Sequence, residues 1–130
     1  MRVLIADERA SLRAAVRALL EHDPQCAGID EAAEAVDALA ALEFGADVVI
    51  LGWGLRGMPT TSLMTTMRAS RPHLILVVLG RYADARETAL AAGADYYIDI
   101  SAPTMDFIAV LHSLCPEIKT SVGRGGPAIE

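Results

Sequence analysis

Two adjacent carboxylates, Asp7 and Glu8, follow directly on the short apolar run Val3-Leu4-Ile5-Ala6. Neighbouring carboxylates at a strand end can help to hold a hard cation, which wants several oxygen ligands. They equally suit the ground before a helix, where the dipole favours negative charge by about 0.3–1 kcal/mol. A second candidate is the stretch VVILGWGLRGMP, residues 48–59, where an apolar run ends at Gly52 and Gly54 and Gly57 follow. Such a loop could cradle phosphate, but it lacks the GxGxxG and GxxxxGK[ST] spacings. The simpler use of its glycines is backbone freedom in a tight loop. Trp53, the single tryptophan, sits in this loop as a partner anchor or a packed side chain. Arg81 follows the apolar run LILVVLG. It could pair with Asp7 or Glu8 and replace a metal by a salt bridge, or remain a solvated loop arginine. The histidines (His22, His73, His112) and cysteines (Cys26, Cys115) are isolated, without CxxC or Cys/His metal spacing. No Ser/His/Asp or Cys/His nucleophile arrangement stands at the strand ends, so an enzyme is not expected.

These residues depend on the elements that carry them. Residues 2–6 read as a strand. Residues 10–21 read as a helix with Leu12, Ala15, Val16, Leu19 and Leu20 on one face and Arg9, Arg13, Arg17 and Glu21 on the other. A weak strand sits near 26–30. Residues 34–44 form an alanine-rich helix with Val36, Leu39 and Ala40 inward, capped by Gly45. Strands follow at 47–51, 74–79 and 96–100. Helices follow at 61–70, carrying Leu63, Met64 and Met67, and at 84–92, closed by Gly93. A last helix begins near Pro103, buries Phe107, Val110, Leu111 and Leu114, and stops at Pro116. Five β-α repeats with continuous apolar strands imply a sheet covered by helices on both sides. The expected fold is an α/β doubly wound parallel sheet of order 2-1-3-4-5 with five helices, whose function sits at the carboxyl ends of the strands. Residues 1–116 form that domain, and 117–130 make a glycine-containing tail with little to bury.

Composition narrows the function further. The 130 residues carry 11 Lys plus Arg and 17 Asp plus Glu, a net charge of -6. An acidic surface with scattered cations does not suit a grip on nucleic acid. No apolar run approaches the roughly 20 residues of a membrane helix. The first residues enter a strand without a charged, cleavable leader, so a cytoplasmic location is expected.

At the strand ends the chain resembles the receiver domain of two-component response regulators. VLIADE matches the first strand with its acidic pair, and GADVVILGWGLRGMP the third strand and its loop. LILVVLG matches the fourth strand, AAGADYYI the approach to the fifth, and Ser101-Ala102-Pro103 the start of the last helix. The resemblance implies a flavodoxin-like fold in which an aspartate ending the third strand accepts a phosphoryl group. The acidic pair then binds Mg2+, a Ser or Thr hydroxyl after the fourth strand and a Lys after the fifth hold the phosphoryl oxygens, and an aromatic residue on the fifth strand moves in response. Here Gly52 stands at the phosphoacceptor, Gly80 at the hydroxyl and Ile100 at the lysine. Glycine can neither attack phosphorus nor donate a side-chain hydrogen bond, and isoleucine cannot neutralise a phosphate. Asp7 and Glu8 remain as a residual pair, a poor Mg2+ site without the third carboxylate, so neither a metal nor a cofactor is expected.

The resemblance thus implies a degenerate, phosphorylation-independent receiver acting as a protein-interaction module. Tyr97 occupies the aromatic switch position and, without a hydroxyl at Gly80, should hold one orientation. Trp53 and Arg81 flank the rim. Tyr82, Tyr96 and Asp99 are candidates for a face made by the fourth helix, fifth strand and fifth helix, through which receivers pair with a protein partner or a second copy. The alternative is a small-molecule sensor with a ligand in the vacated site, lined by Leu55, Met58 and Ile100.

Overall fold

The structure, a computed structural model, describes residues 1–24, 26–81 and 84–101. Five strands, β1 (Arg2–Ala6), β2 (Gly28–Ala32), β3 (Val48–Gly52), β4 (Ile75–Gly80) and β5 (Tyr96–Asp99), form one sheet of order β2-β1-β3-β4-β5. Every pairing is parallel. Four helices alternate with them among the described residues: α1 (Ala10–Glu21), α2 (Ala35–Leu42), α3 (Thr60–Ser70) and α4 (Asp84–Ala91). The helix expected from Pro103, the tail 117–130 and Tyr82 lie outside the described residues.

The apolar strands divide their side chains between two cores. Leu4, Val49, Leu51, Leu76 and Val78 face one side, where α2, α3 and α4 supply Ala38, Leu42, Leu63, Met64, Met67 and Ala89. Val3, Ile5, Val48, Ile50, Val77 and Leu79 face the other, against Val16 and Leu20 of α1. Adjacent strand residues point to opposite faces, so a strand buried on both must be apolar throughout. That requirement makes β1, β3 and β4 easy to see in the sequence.

Three local expectations need correction. β2 begins two residues later than expected, because its pairing runs from Arg2↔Gly28 to Ala6↔Ala32. It is an edge strand carrying Asp30 and Glu31, so its apolar signal is weak. In α1, Val16 and Leu20 are buried and Leu12 half-buried, while Ala15 and Leu19 stay exposed. On the opposite face Arg13 and Arg17 both donate to Glu31 of β2, at 3.0 and 2.6 Å, anchoring α1 along the sheet edge. In α2 the buried residues are Ala35, Ala38, Ala41 and Leu42, and Leu39 packs half-buried against the same core as expected, whereas Val36 is 68% exposed and Ala40 faces solvent too. The helix phase is set at its start. The Ala35 N–H donates to the Arg56 carbonyl at 2.7 Å, and a Cβ at Gly57 would lie 3.1 Å from that of Ala35. Close approach through alanines excludes larger side chains from this face.

Candidate functional site

The parallel register gathers the carboxyl ends of the strands. Ala6 is level with Leu51, Gly52 with Leu79, and Gly80 with Asp99. Asp7, Gly52, Gly80 and Ile100, distant in sequence, therefore meet at one rim. Three backbone bonds lock it: Asp7 N–H to the Ala32 carbonyl at 3.0 Å, Trp53 N–H to Leu79 at 2.8 Å and Ile100 N–H to Gly80 at 2.7 Å. Beside this rim lies a cleft of about 450 Å³ lined by Asp7, Glu8, Arg9, Trp53 and Arg81 among others.

The two strand-end glycines have space taken from them. A Cβ built on Gly52 would sit 2.8 Å from Cγ of Asp7, and closer still to its Oδ2. A Cβ on Gly80 would sit 2.7 Å from Cζ of Tyr97, and closer still to its hydroxyl oxygen. Real Cβ atoms essentially never approach other atoms within 3.0 Å. Asp7 is 3% exposed and Tyr97 7%, so each fills a buried space that the neighbouring strand's side chain would need. Gly54 and Gly57 are glycines for a different reason: their φ angles are +91° and +115°, in the left-handed region.

The buried Asp7 carboxylate is paired with Arg9, at the entrance to α1. Arg9 donates from Nε to Oδ1 at 2.9 Å and from Nη2 to Oδ2 at 2.8 Å, and its backbone N–H donates to Oδ1 at 2.8 Å. This is the planar two-pronged pairing that guanidinium makes with carboxylate. The carboxylate hydrogen bond, followed by the nearby charges of Asp7 and Glu8, outweighs partial desolvation and raises the already high pKa of Arg9. Arg13 adds a bond from Nη1 to the Asp7 carbonyl at 2.7 Å. Glu8 turns outward and pairs with Arg56 at 3.6 Å, both side chains being largely exposed. Of the two alternatives for Arg81, the ion pair with Asp7 or Glu8 is not formed, and the solvated loop arginine is what the structure has. Arg81 lines the cleft, is exposed, and joins no ion pair among the described residues. The Asp7-x-Arg9 spacing, with an arginine at the helix entrance, was the available signal.

These donors do not suit Mg2+. The ion demands near-octahedral oxygen ligation and dehydrates reluctantly. Both Asp7 oxygens already accept from a cation, and the position facing them is a glycine. The first three amides of the β3–α3 loop, which would have to open a phosphate cradle beside Gly52, are already taken. Trp53 N–H donates to Leu79, Gly54 N–H to the Thr60 hydroxyl at 2.9 Å, and Leu55 N–H to the Gly52 carbonyl at 3.2 Å.

The remaining candidates separate. Trp53 is half-buried against the α2–α3–α4 core and lines the cleft. Leu55 also lines it, but Met58 packs against the first core and Ile100 against the second, so neither belongs to the cleft wall. Tyr96 and Tyr97 point to opposite sides of β5, Tyr96 half-buried against the second core. Asp99 accepts from the Ser101 hydroxyl and from its N–H at 2.9 Å; these bonds, the hydroxyl first, lower its pKa. No helix among the described residues is long and apolar enough to cross a membrane.

Comparison with known proteins places this rim in context. The family model for the response regulator receiver domain matches residues 3–111. Among solved structures, a CheY-like response regulator receiver domain protein from Methanospirillum hungatei JF-1 superposes with a TM-score of 0.80. It is 24% identical, over 92% of this chain and 97% of that one. The isolated REC domain of RcsB from Salmonella enterica serovar Typhimurium, solved with the phosphomimetic BeF3-, gives 0.80 at 19% identity, covering 88% and 87%. NtrX from Brucella abortus, solved in complex with ATP, gives 0.81 at 21% identity; it matches 95% of this chain but 29% of its own, so the fold there is part of a longer protein. These likenesses show the shared fold. No curated protein matches the chain.

Proposed function

The chain belongs to the response regulator receiver domain family, and on that premise we propose that it is a pseudo-receiver: a two-component signalling module that works by protein contact without being phosphorylated. One observation carries the reading. The spaces a phosphoacceptor at 52 and a hydroxyl at 80 would occupy are filled by Asp7 and Tyr97. Asp7 is committed to Arg9, which supplies as a fixed guanidinium the positive charge a metal would otherwise bring. Tyr97 is packed inward as part of the core, so the aromatic switch position has one stable place rather than two. Ile100 packs into the other core and offers no cation.

The module then acts through surfaces away from the rim. The face made by α4 and β5, with Tyr96 and Asp99, is the proposed contact for a protein partner or a second copy; Tyr82 and the expected fifth helix belong to the same proposal. It acts in the cytoplasm, without catalysis, metal or cofactor. The test uses Trp53, the single tryptophan, which lines the cleft. Acetyl phosphate or beryllofluoride with Mg2+ should leave its fluorescence unchanged. A stoichiometric phosphoprotein, or a saturable Mg2+ quench at low millimolar concentration, would overturn the reading.

A second reading rests on the cleft itself. Its volume of about 450 Å³ lies in the range of small-molecule sites, and Leu55, Leu79, Ala85 and Trp53 give it apolar walls. A metabolite screen by thermal shift tests it, since a ligand that prefers the folded state raises Tm by mass action.

A further inference from the structure

The phase of α2 leaves one apolar side chain of the helix, Val36, in solvent, and Phe44 just past its end is exposed as well. Val36 is 68% exposed and Phe44, in the turn after the helix, 69%. Ala40 between them is also exposed. Residues four apart stack along one side of a helix, so Val36 and Ala40 share one side, and Phe44 extends the strip from the turn directly after the C-cap, its N–H donating to the Ala41 carbonyl at 3.0 Å. Scattered exposed hydrophobes need no explanation, but a strip of them on one face marks a contact surface.

The strip is bordered by uncompensated negative charge. By helical spacing Asp37 lies on one side and Glu43 on the other, and Glu34 stands at the N-cap. All three are exposed and in no ion pair among the described residues. Glu43 is the C-cap, where the helix dipole is already negative, and the last turn holds no basic residue to offset it. A second copy laid on this strip would bring these carboxylates against their own counterparts. A cationic partner relieves the same charge.

We propose that the outer face of α2 docks an amphipathic helix of a partner protein, with apolar side chains on Val36, Ala40 and Phe44 and Lys or Arg over Asp37 and Glu43. This surface is separate from the α4–β5 face, and its test does not depend on whether the protein is phosphorylated.

The probe is a fluorescein-labelled synthetic helical peptide of leucine and lysine, with leucines at i, i+4 and i+8, read by anisotropy; a leucine–glutamate peptide of the same pattern is the control. The basic peptide should bind and the acidic one should not. The double substitution V36S/F44S keeps the net charge and changes exposed side chains, so it should fold with an unchanged melting curve and bind at least about tenfold more weakly. D37N/E43Q should weaken binding and flatten its salt dependence. Failure of the basic peptide to bind, or binding that V36S/F44S leaves intact, overturns the proposal. So does a dimer in sedimentation that V36S/F44S disperses, because the face then belongs to a second copy.

Discussion

Replacing Gly80 by alanine adds one methyl group, and the structure gives that methyl a definite opponent. Its Cβ would stand 2.7 Å from Cζ and 2.9 Å from Cε2 of Tyr97. The opposing atoms belong to a ring 7% exposed in a packed core, not to the end of a flexible chain, so the whole ring must move. Overpacking of this kind costs about 1–3 kcal/mol. If the ring leaves the core altogether, the loss is the burial of one large side chain, about 1.5–3 kcal/mol. Gly80 does not have a positive φ, so alanine itself meets no backbone strain there. Tyr97→Leu provides the control, because leucine lacks the far ring atoms that approach Gly80. In that background Gly80→Ala should be neutral or should stabilise by up to about 1 kcal/mol, through lost glycine freedom. The double mutant should therefore be less destabilised than the two single mutants combined, by about 2 kcal/mol. Urea denaturation followed by Trp53 fluorescence measures all four proteins. If the two changes add within about 0.5 kcal/mol, Tyr97 does not occupy the space at Gly80 and the inward-locked switch is wrong.

Arg9→Gln should destabilise the protein by about 1–3 kcal/mol, since it leaves the 3%-exposed Asp7 carboxylate with its backbone donor but no cation; Arg9 itself is 35% exposed, which keeps the cost below that of a fully buried pair. A change under about 0.5 kcal/mol in denaturant unfolding would mean the pair behaves like an ordinary surface contact. Glu31 has its pKa lowered first by the Arg17 hydrogen bond and then, against some desolvation, by Arg13. A depressed folded-state pKa means the stabilisation is complete above the unfolded value of about 4.3 and is lost as pH falls through the folded one. Glu31→Gln should therefore be less stable than wild type at neutral pH and nearly equal to it once Glu31 is protonated. A stability difference that does not shrink in acid would refute the role of that ion pair.

Much of the rim was legible because the sheet imposes simple demands on composition. A central parallel strand buried on both faces must be apolar along its length, so VLIA, VVIL and ILVVL announce themselves, and the residue after each run stands at the rim. Gly52 and Gly80 were identifiable there without knowing any side-chain position. The edge strand β2 was misplaced because its register depends on pairing with β1, and its charged residues carry little signal. The outward turn of Val36 in α2 escapes the sequence for a related reason. Hydropathy points Val36 inward, but the contact of Ala35 with Gly57 turns the alanines in and leaves Val36 out.

The sequence by itself determined the order of elements, the apolar strands and which residue types stand at the strand ends. Those are matters of local pattern and chemical kind, which a linear chain records directly. The tertiary structure alone decided that Asp7 turns into the space beside Gly52, that Arg9 rather than Arg81 meets it, and that Tyr97 fills the space beside Gly80. Each of these is a choice among side-chain positions governed by empty volume and opposite charge on neighbouring strands. Such choices exist only once residues far apart in the chain share the same few ångströms.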